Sequence, residues 1–145
     1  MRISDILRVK GERVVTVTPS ADVTELLAVL AEHKIGAVIV SEDGRGVQGI
    51  VSERDVVRAL AARGATVLTE QVTAIYTAEV RSVPRDATVE EVERLMTERR
   101  FRHVPVVEDG GLHGVVSIGD VVKFRIDELE SERSSLAGYI TGERS

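Results

Sequence analysis

Residues 49–57 read GIVSERDVV, and residues 114–122 read GVVSIGDVV. Both run Gly-apolar-apolar-Ser-x-x-Asp-Val-Val, at an offset of 65 residues. A β-branched run that ends in Ser, with an acid three positions on, is where a strand hands over to a capped helix. Its recurrence makes an internal repeat the first pattern to test. Upstream of the motif the match continues at an offset of 66. Val17 meets Val83, Val23 meets Val89, Glu25 meets Glu91, and Glu42-Asp43-Gly44 meets Glu108-Asp109-Gly110. The step from 66 to 65 is one residue lost at a Gly-rich turn, where a deletion disturbs least.

Each copy has the same predicted anatomy. A short strand, Val14–Val17 or Val80–Val83, precedes an amphipathic helix near Val23–Lys34 or Val89–Arg100. Apolar residues recur there at helical spacing, as Val23, Leu26, Leu27 and Leu30 and as Val89, Val92, Leu95 and Met96. Two apolar runs then flank an acidic-Gly turn, Ala37–Val40 with Val47–Val51 and His103–Val107 with Leu112–Val116, which is the pattern of a β-hairpin. A closing helix starts at Ser52 or Ser117. The order β-α-β-β-α, twice, predicts a mixed α/β (α+β) fold. A helical lead-in precedes each copy, Ile3-Ser4-Asp5-Ile6-Leu7 and Val72-Thr73-Ala74-Ile75-Tyr76. Chain order divides the protein into residues 1–64, residues 65–128 and a helical tail over 129–145. Apolar residues along the C-terminal stretch are sparse: Ile126, Leu129, Leu136 and Ile140.

Composition narrows the function classes. Of 145 residues, 43% are hydrophobic but only 3% aromatic, so the core is aliphatic. The net charge of −5 and the scarcity of stacking aromatics disfavour a nucleic-acid partner. Absence of Cys excludes disulfides, thiolate metal sites and Cys nucleophiles. His33, His103 and His113 show no metal-ligand spacing. There is no Gly-x-Ser-x-Gly elbow and no Gly-rich phosphate loop ending in Lys-Ser/Thr, so an enzyme is not expected. No apolar run approaches a membrane span and no signal peptide is visible at Met1-Arg2-Ile3-Ser4-Asp5, so a cytoplasmic protein without a membrane partner is expected.

The tandem repeat, with GIVSERDVV, GVVSIGDVV and Arg102-His103-Val104-Pro105-Val106-Val107, resembles the CBS domain family, named after cystathionine β-synthase. The resemblance spans nearly all of the chain and is closest to stand-alone members of bacterial or archaeal type. It implies two βαββα repeats packed sheet to sheet with pseudo-twofold symmetry, and a homodimer of such pairs. Val56, Val57 and Leu60, with helices Glu53–Arg63 and Gly119–Glu128, are the contact faces it suggests. It also implies clefts between the repeats for adenosine-containing ligands such as AMP, ADP, ATP, NAD or S-adenosylmethionine. No cofactor is required by this reading. The role it implies is regulatory, acting on a partner that the sequence does not name. The alternative is an interaction scaffold that keeps the fold without binding a ligand.

Site residues carry two readings each. Ser52-x-x-Asp55 and Ser117-x-x-Asp120 are capping boxes in outline, although such a box prefers Glu or Gln in third place. The resemblance puts ribose on Asp55 and Asp120 and ligand contacts on Ser52 and Ser117. It draws adenine walls from Thr16-Val17-Thr18 with Gly36-Ala37-Val38, and from Ser82-Val83-Pro84 with Arg102-His103-Val104-Pro105. Plain core strand is the competing reading for the valines, and a helix C-cap for Gly36. Arg54, Arg102, His103 and Lys123 are candidate phosphate groups. Arg99 and Arg100 read as solvated residues that complement a helix C-terminus. The unequal pairs Gly36-Ala37 and Arg102-His103 predict two clefts that differ.

Overall fold

The computed structural model describes residues 1–140. Its elements are α1 (Ile3–Lys10), β1 (Thr16–Val17), α2 (Val23–His33), β2 (Ala37–Val40), β3 (Gly49–Ser52), α3 (Glu53–Arg63), α4 (Val89–Arg99), β4 (His103–Glu108), β5 (Gly111–Ser117) and α5 (Ile118–Ile140). Short 3₁₀ turns at Gly64–Thr69 and Val72–Ala74 lie between α3 and α4. The chain is a mixed α/β protein with one small sheet in each copy.

In the first copy β1 runs parallel to β2, and β2 pairs antiparallel with β3, Val38 opposite Val51. The second copy has the β4–β5 hairpin, and Val83 alone stands in for the first strand as a parallel bridge to Val106. Pro84 follows Val83 and has no N–H to lengthen that ladder. The first strands are therefore shorter than the sequence predicts: Val14, Val15 and Val80 lie outside them. The β4–β5 turn is the two-residue Asp109-Gly110, both at positive φ (52° and 73°), the conformation that matches strand twist. The longer turn of the first copy is held by the Asp43 carboxylate, which accepts from the Arg45 and Gly46 N–H groups at 2.9 Å each. Those bonds hold the Asp43 carboxyl below its ordinary range.

The helices start where the capping residues say. The Asp22 carboxylate accepts from Glu25 N–H at 2.7 Å, and Thr88 and Glu91 form a reciprocal box. Lys34 and Arg100, not Gly36, take the left-handed conformation that ends α2 and α4.

Packing crosses the chain order. Ile3, Ile6 and Leu7 of α1 precede the first copy but are buried in the core of the second, with Val89, Val92, Val104 and Val116. Val67 and Val72, which precede the second copy, are buried in the core of the first, with Val23, Leu26, Val38 and Val51. The backbone repeats the exchange. Ile3 N–H donates to the Ala87 carbonyl at 2.8 Å, and Val72 N–H to the Ala21 carbonyl at 2.9 Å. Each lead-in also presses a side chain on a glycine of the copy it covers. A Cβ at Gly114 would lie 2.7 Å from Leu7 Cδ2, and one at Gly49 would lie 2.7 Å from the Thr77 carbonyl oxygen and against the Tyr76 ring. This close approach explains a glycine in the third apolar run of both copies.

α5 is one continuous helix that runs from the second motif past the domain. Residues 141–145 of the predicted tail, and the Ile140 side chain, lie outside the described residues. Leu129 and Leu136 are exposed. Val56, assigned to a contact face from the sequence, is instead a core residue at 3% exposure, because it points at the strands from the inner side of α3. Val57 at 64% and its counterpart Val122 at 50% face out.

Two substitutions test the crossed packing. Gly49→Ala meets a backbone carbonyl, which cannot swing away, and is expected to cost about 1–3 kcal/mol. Gly114→Ala meets only the end of Leu7 and is expected to cost less. Urea unfolding midpoints of the two variants check the order; equal midpoints would overturn it, and midpoints equal to the parent's would show that neither contact is tight.

Candidate ligand clefts

Ser52 ends β3 and Ser117 ends β5, and each caps the helix that follows. Ser52 N–H donates to Asp55 Oδ2 at 2.8 Å, Ser52 Oγ donates to the same oxygen at 3.0 Å, and Asp55 N–H donates back to Ser52 Oγ at 3.3 Å. The second copy repeats the box, with Ser117 N–H to Asp120 Oδ2 at 2.9 Å and Asp120 N–H to Ser117 Oγ at 3.1 Å. The capping reading of these residues is therefore realised. It uses only one carboxylate oxygen, however. Among the described residues, Oδ1 of neither Asp takes a hydrogen bond. The first helical N–H of each helix is also closed, Glu53 on the Gly36 carbonyl and Ile118 on the Arg102 carbonyl, both at 3.0 Å. The next N–H, of Arg54 or Gly119, has no hydrogen-bond partner among the described residues.

Two clefts open beside these boxes, and each takes its walls from both copies. The Asp55 cleft is formed by Ile50, Ser52, Arg54, Asp55 and Arg58 of the first copy. Across from them stand the linker Thr77–Arg81 and the turn Arg100–His103 of the second. The Asp120 cleft is formed by Val115, Ser117 and Asp120 of the second copy. Across from them stand Lys10, Arg13–Val15 and Lys34–Ala37, which belong to the first. The correspondence follows the sequence repeat, with Arg13–Val15 matching Glu79–Arg81 and Lys34–Ala37 matching Arg100–His103. The Asp120 cleft has about 340 Å³ of free volume and the Asp55 cleft about 150 Å³. Only the former lies within the ordinary range of small-molecule sites as it stands.

Of the residues expected from the sequence, Ser52, Arg54, Asp55, Arg102 and His103 meet in the Asp55 cleft. Gly36, Ala37, Ser117 and Asp120 meet in the Asp120 cleft, which His103 also borders. Val17, Val38, Val83, Val104 and Pro105 line neither cleft; they are buried, the valines in the two cores. Thr16, Thr18, Ser82 and Pro84 also line neither, because the wall is built one to three residues earlier, before the strand begins. Lys123 and Arg99 point to solvent elsewhere. Arg100, read as a solvated cap, lines the Asp55 cleft. The sequence reading missed Lys10, Arg13, Lys34, Arg58, Arg81 and Glu79. The repeat held a signal for two of them, since Lys34 matches Arg100 and Arg58 matches Lys123.

Electrostatics separate the clefts. In one, Lys10 Nζ donates to Asp120 Oδ2 at 2.6 Å and also reaches the Val115 carbonyl. Burial works to raise the Asp120 carboxyl, but the Lys10 bond and the Ser117 N–H outweigh it and hold the group below its ordinary value. In the other, Arg54, Arg58, Arg81, Arg100 and Arg102 face Asp55 and Glu79. His103 stands between the two. Burial and then the Lys10 charge hold its imidazole below its ordinary value, so it is neutral near pH 7.

The CBS domain family profile matches residues 3–62 and 72–127. The chain is 33% identical to a mitochondrial CBS domain-containing protein of Arabidopsis thaliana, over 97% of this chain and 72% of that one. Among solved structures it is similar to a CBS-domain containing protein from Agrobacterium tumefaciens, at 45% identity and TM-score 0.83, over 86% of this chain and 99% of that one. It is also similar to a CBS domain protein from Pyrobaculum aerophilum complexed with AMP. There the identity is 29% and the TM-score 0.74, over 83% and 89% of the two chains. No helix among the described residues is long and apolar enough to cross a membrane.

The caps and the half-buried histidine give two stability tests. Ser117→Ala removes the cap acceptor and is expected to cost about 1 kcal/mol. For pH, the signs agree. The unfolded chain takes up a proton at His103 near its ordinary 6.5 while the folded chain resists, so stability falls as pH drops below that value. The Asp120 contribution is present above the ordinary 3.8 and is lost as pH falls through its lowered folded value. His103→Ala, which restores the residue found at the matching position 37, is expected to flatten the upper window only. Urea midpoints at about pH 7.5 and 5.5 check this; a difference as large as in the parent would contradict it.

Proposed function

The chain belongs to the CBS domain family, and from that premise we propose a regulatory module that senses adenosine-containing nucleotides of the AMP, ATP or NAD class. Its two clefts hold the ligand, and a partner protein reads the result. The observation that carries this reading is the mixed parentage of each cleft. A Ser-x-x-Asp box of one copy faces the strand approach and the helix-to-strand turn of the other. A molecule that touches both walls ties the copies together, so its binding is differential between relative orientations of the copies. That differential affinity is what a sensor needs, and coupling to a partner of about 1–3 kcal/mol is typical.

The chemistry suits an adenine nucleotide. Asp55 Oδ1 and Asp120 Oδ1 are free to accept two hydrogen bonds from a ribose cis-diol while Oδ2 keeps the cap. The Arg54 and Gly119 N–H groups at the helix N-termini meet a phosphate. Val14, Val15, Ile35 and Ala37 in one cleft, and Ile50, Val80 and Phe101 in the other, offer apolar walls for the base. The AMP complex of the Pyrobaculum aerophilum protein supports the ligand class. Exposed Val57 and Val122, at matching positions of α3 and α5, are the residues this reading gives to a second copy.

Asp55→Ala and Asp120→Ala are each expected to lower nucleotide affinity about tenfold to a hundredfold, the loss of a hydrogen bond to a charged group. Isothermal titration with AMP, ATP and NAD measures it. Unchanged affinity in both variants would remove the ribose assignment. A thermal-shift panel of the same ligands with S-adenosylmethionine, flat at millimolar concentration, would favour the scaffold reading.

A further inference from the structure

α5 outruns the repeat it belongs to. Its 23 residues end well past the family profile, which stops at residue 127. The first turns are anchored: Val121 is buried, Phe124 packs on the second core, and Arg125 is held by Glu90 and Glu93 of α4. From Leu129 to Leu136 every residue is exposed. Among the described residues, no ion pair involves a position past Glu128. Ser131, Ser134 and Ser135 are modest helix formers, and an unpacked helix of this length is marginal in water. Yet this segment keeps an apolar stripe. Val122, Ile126, Leu129 and Leu136 stand four, three and seven residues apart, and none is less than 49% exposed. That is the spacing of a coiled-coil seam, with Arg133 in the place between the two leucines.

The seam runs into a groove. Between α4 and α5, Met96, Thr97, Ile118, Val121 and Val122 are among the residues that line a hollow of about 430 Å³. A second α5, laid antiparallel, brings a knob of the same chain to it. With Ile126 level with the partner's Leu129, Leu136 comes level with the partner's Gly119, beside Ile118 at the head of the groove. That place is open, since a Cβ at Gly119 would approach only the Ser117 hydroxyl, at 3.6 Å. Charge follows the same order. Arg133 comes level with the partner's Val122 instead of its own counterpart, and Lys123 flanks the partner's Glu130. Lys123 and Glu130 are both exposed and make no ion pair within their own chain among the described residues. A parallel, in-register pair would stack Arg133 on Arg133 and leave the groove without Leu136.

We propose that the projecting half of α5 is a self-association surface, on which a second copy of the chain lays its own α5 antiparallel and seats Leu136 in the α4–α5 groove. This surface extends beyond the βαββα repeats and does not depend on the adenosine reading. Sedimentation equilibrium of the full chain and of Leu129→Glu/Leu136→Glu tests it. Both leucines are exposed in the single chain, so the substitutions leave the two cores untouched. The expected result is a dimer whose dissociation constant rises at least about a hundredfold in the variant. A parent that stays monomeric at its highest soluble concentration would overturn the proposal. A variant that dimerises as tightly as the parent would overturn it too, and would leave the second copy to the face of Val57. Disulfide trapping reads the orientation, since the chain has no cysteine of its own. Val122→Cys and Arg133→Cys proteins, one of them tagged, are mixed and mildly oxidised, and are expected to join to each other. Joining of each variant only to itself, or no joining, would overturn the antiparallel register.

Discussion

Leu7 packed on Gly114, and Tyr76 packed on Gly49, hold the two copies in place. Each contact puts the lead-in of one copy into the core of the other, so neither core is complete from its own βαββα unit. Burying an aliphatic side chain of this size contributes about 1.5–3 kcal/mol, and Ile3, Ile6, Leu7, Val67 and Val72 are all buried in this exchange. The clefts depend on it directly. Arg13–Val15 follow α1, and Thr77–Arg81 follow the Val72–Ala74 turn, so the walls that face Asp120 and Asp55 are set by where the lead-ins dock. Thr77 is pinned further by two backbone bonds with Ile50, both 2.9 Å.

One carboxylate can serve both structure and recognition because it has two oxygens. Oδ2 of Asp55 and Asp120 satisfies the N–H at the start of a helix, which fixes the side chain rotamer. Fixing it costs the ligand nothing later, since the orientation of Oδ1 is already decided. Asp suits this double use better than the longer Glu of a standard box, whose reach would leave its second oxygen less defined. Capping and the proposed ligand binding are thus compatible uses of one geometry, since each draws on a different oxygen.

The two clefts are built from matching segments of the repeat but differ in charge and in volume. Ala37 and His103 stand at matching positions, and the histidine borders both clefts. Asp120 is tied to Lys10, whereas Asp55 has no such partner among the described residues. Duplication leaves the backbone scaffold common and lets side chains at the cleft mouth vary, because those positions carry no core packing.

The sequence alone determined the repeat, the order of elements and the helix starts. Those follow from local rules: the spacing of Val23, Leu26 and Leu30, the acidic-Gly turns, and the Ser-x-x-Asp boxes. It also singled out Ser52, Asp55, Ser117 and Asp120, which local capping geometry places at the cleft floors. Tertiary structure decided the rest. No local pattern says that Ile3 and Leu7 pack into the distant copy, that Val17 and Val83 turn inward while Arg13 and Arg81 line clefts, or that Lys10 meets Asp120. Each of these joins segments far apart in the chain, and only the docking of one copy on the other brings them within reach. The same docking turned two modest basic runs and a lone linker arginine into one cleft lined by five guanidinium groups.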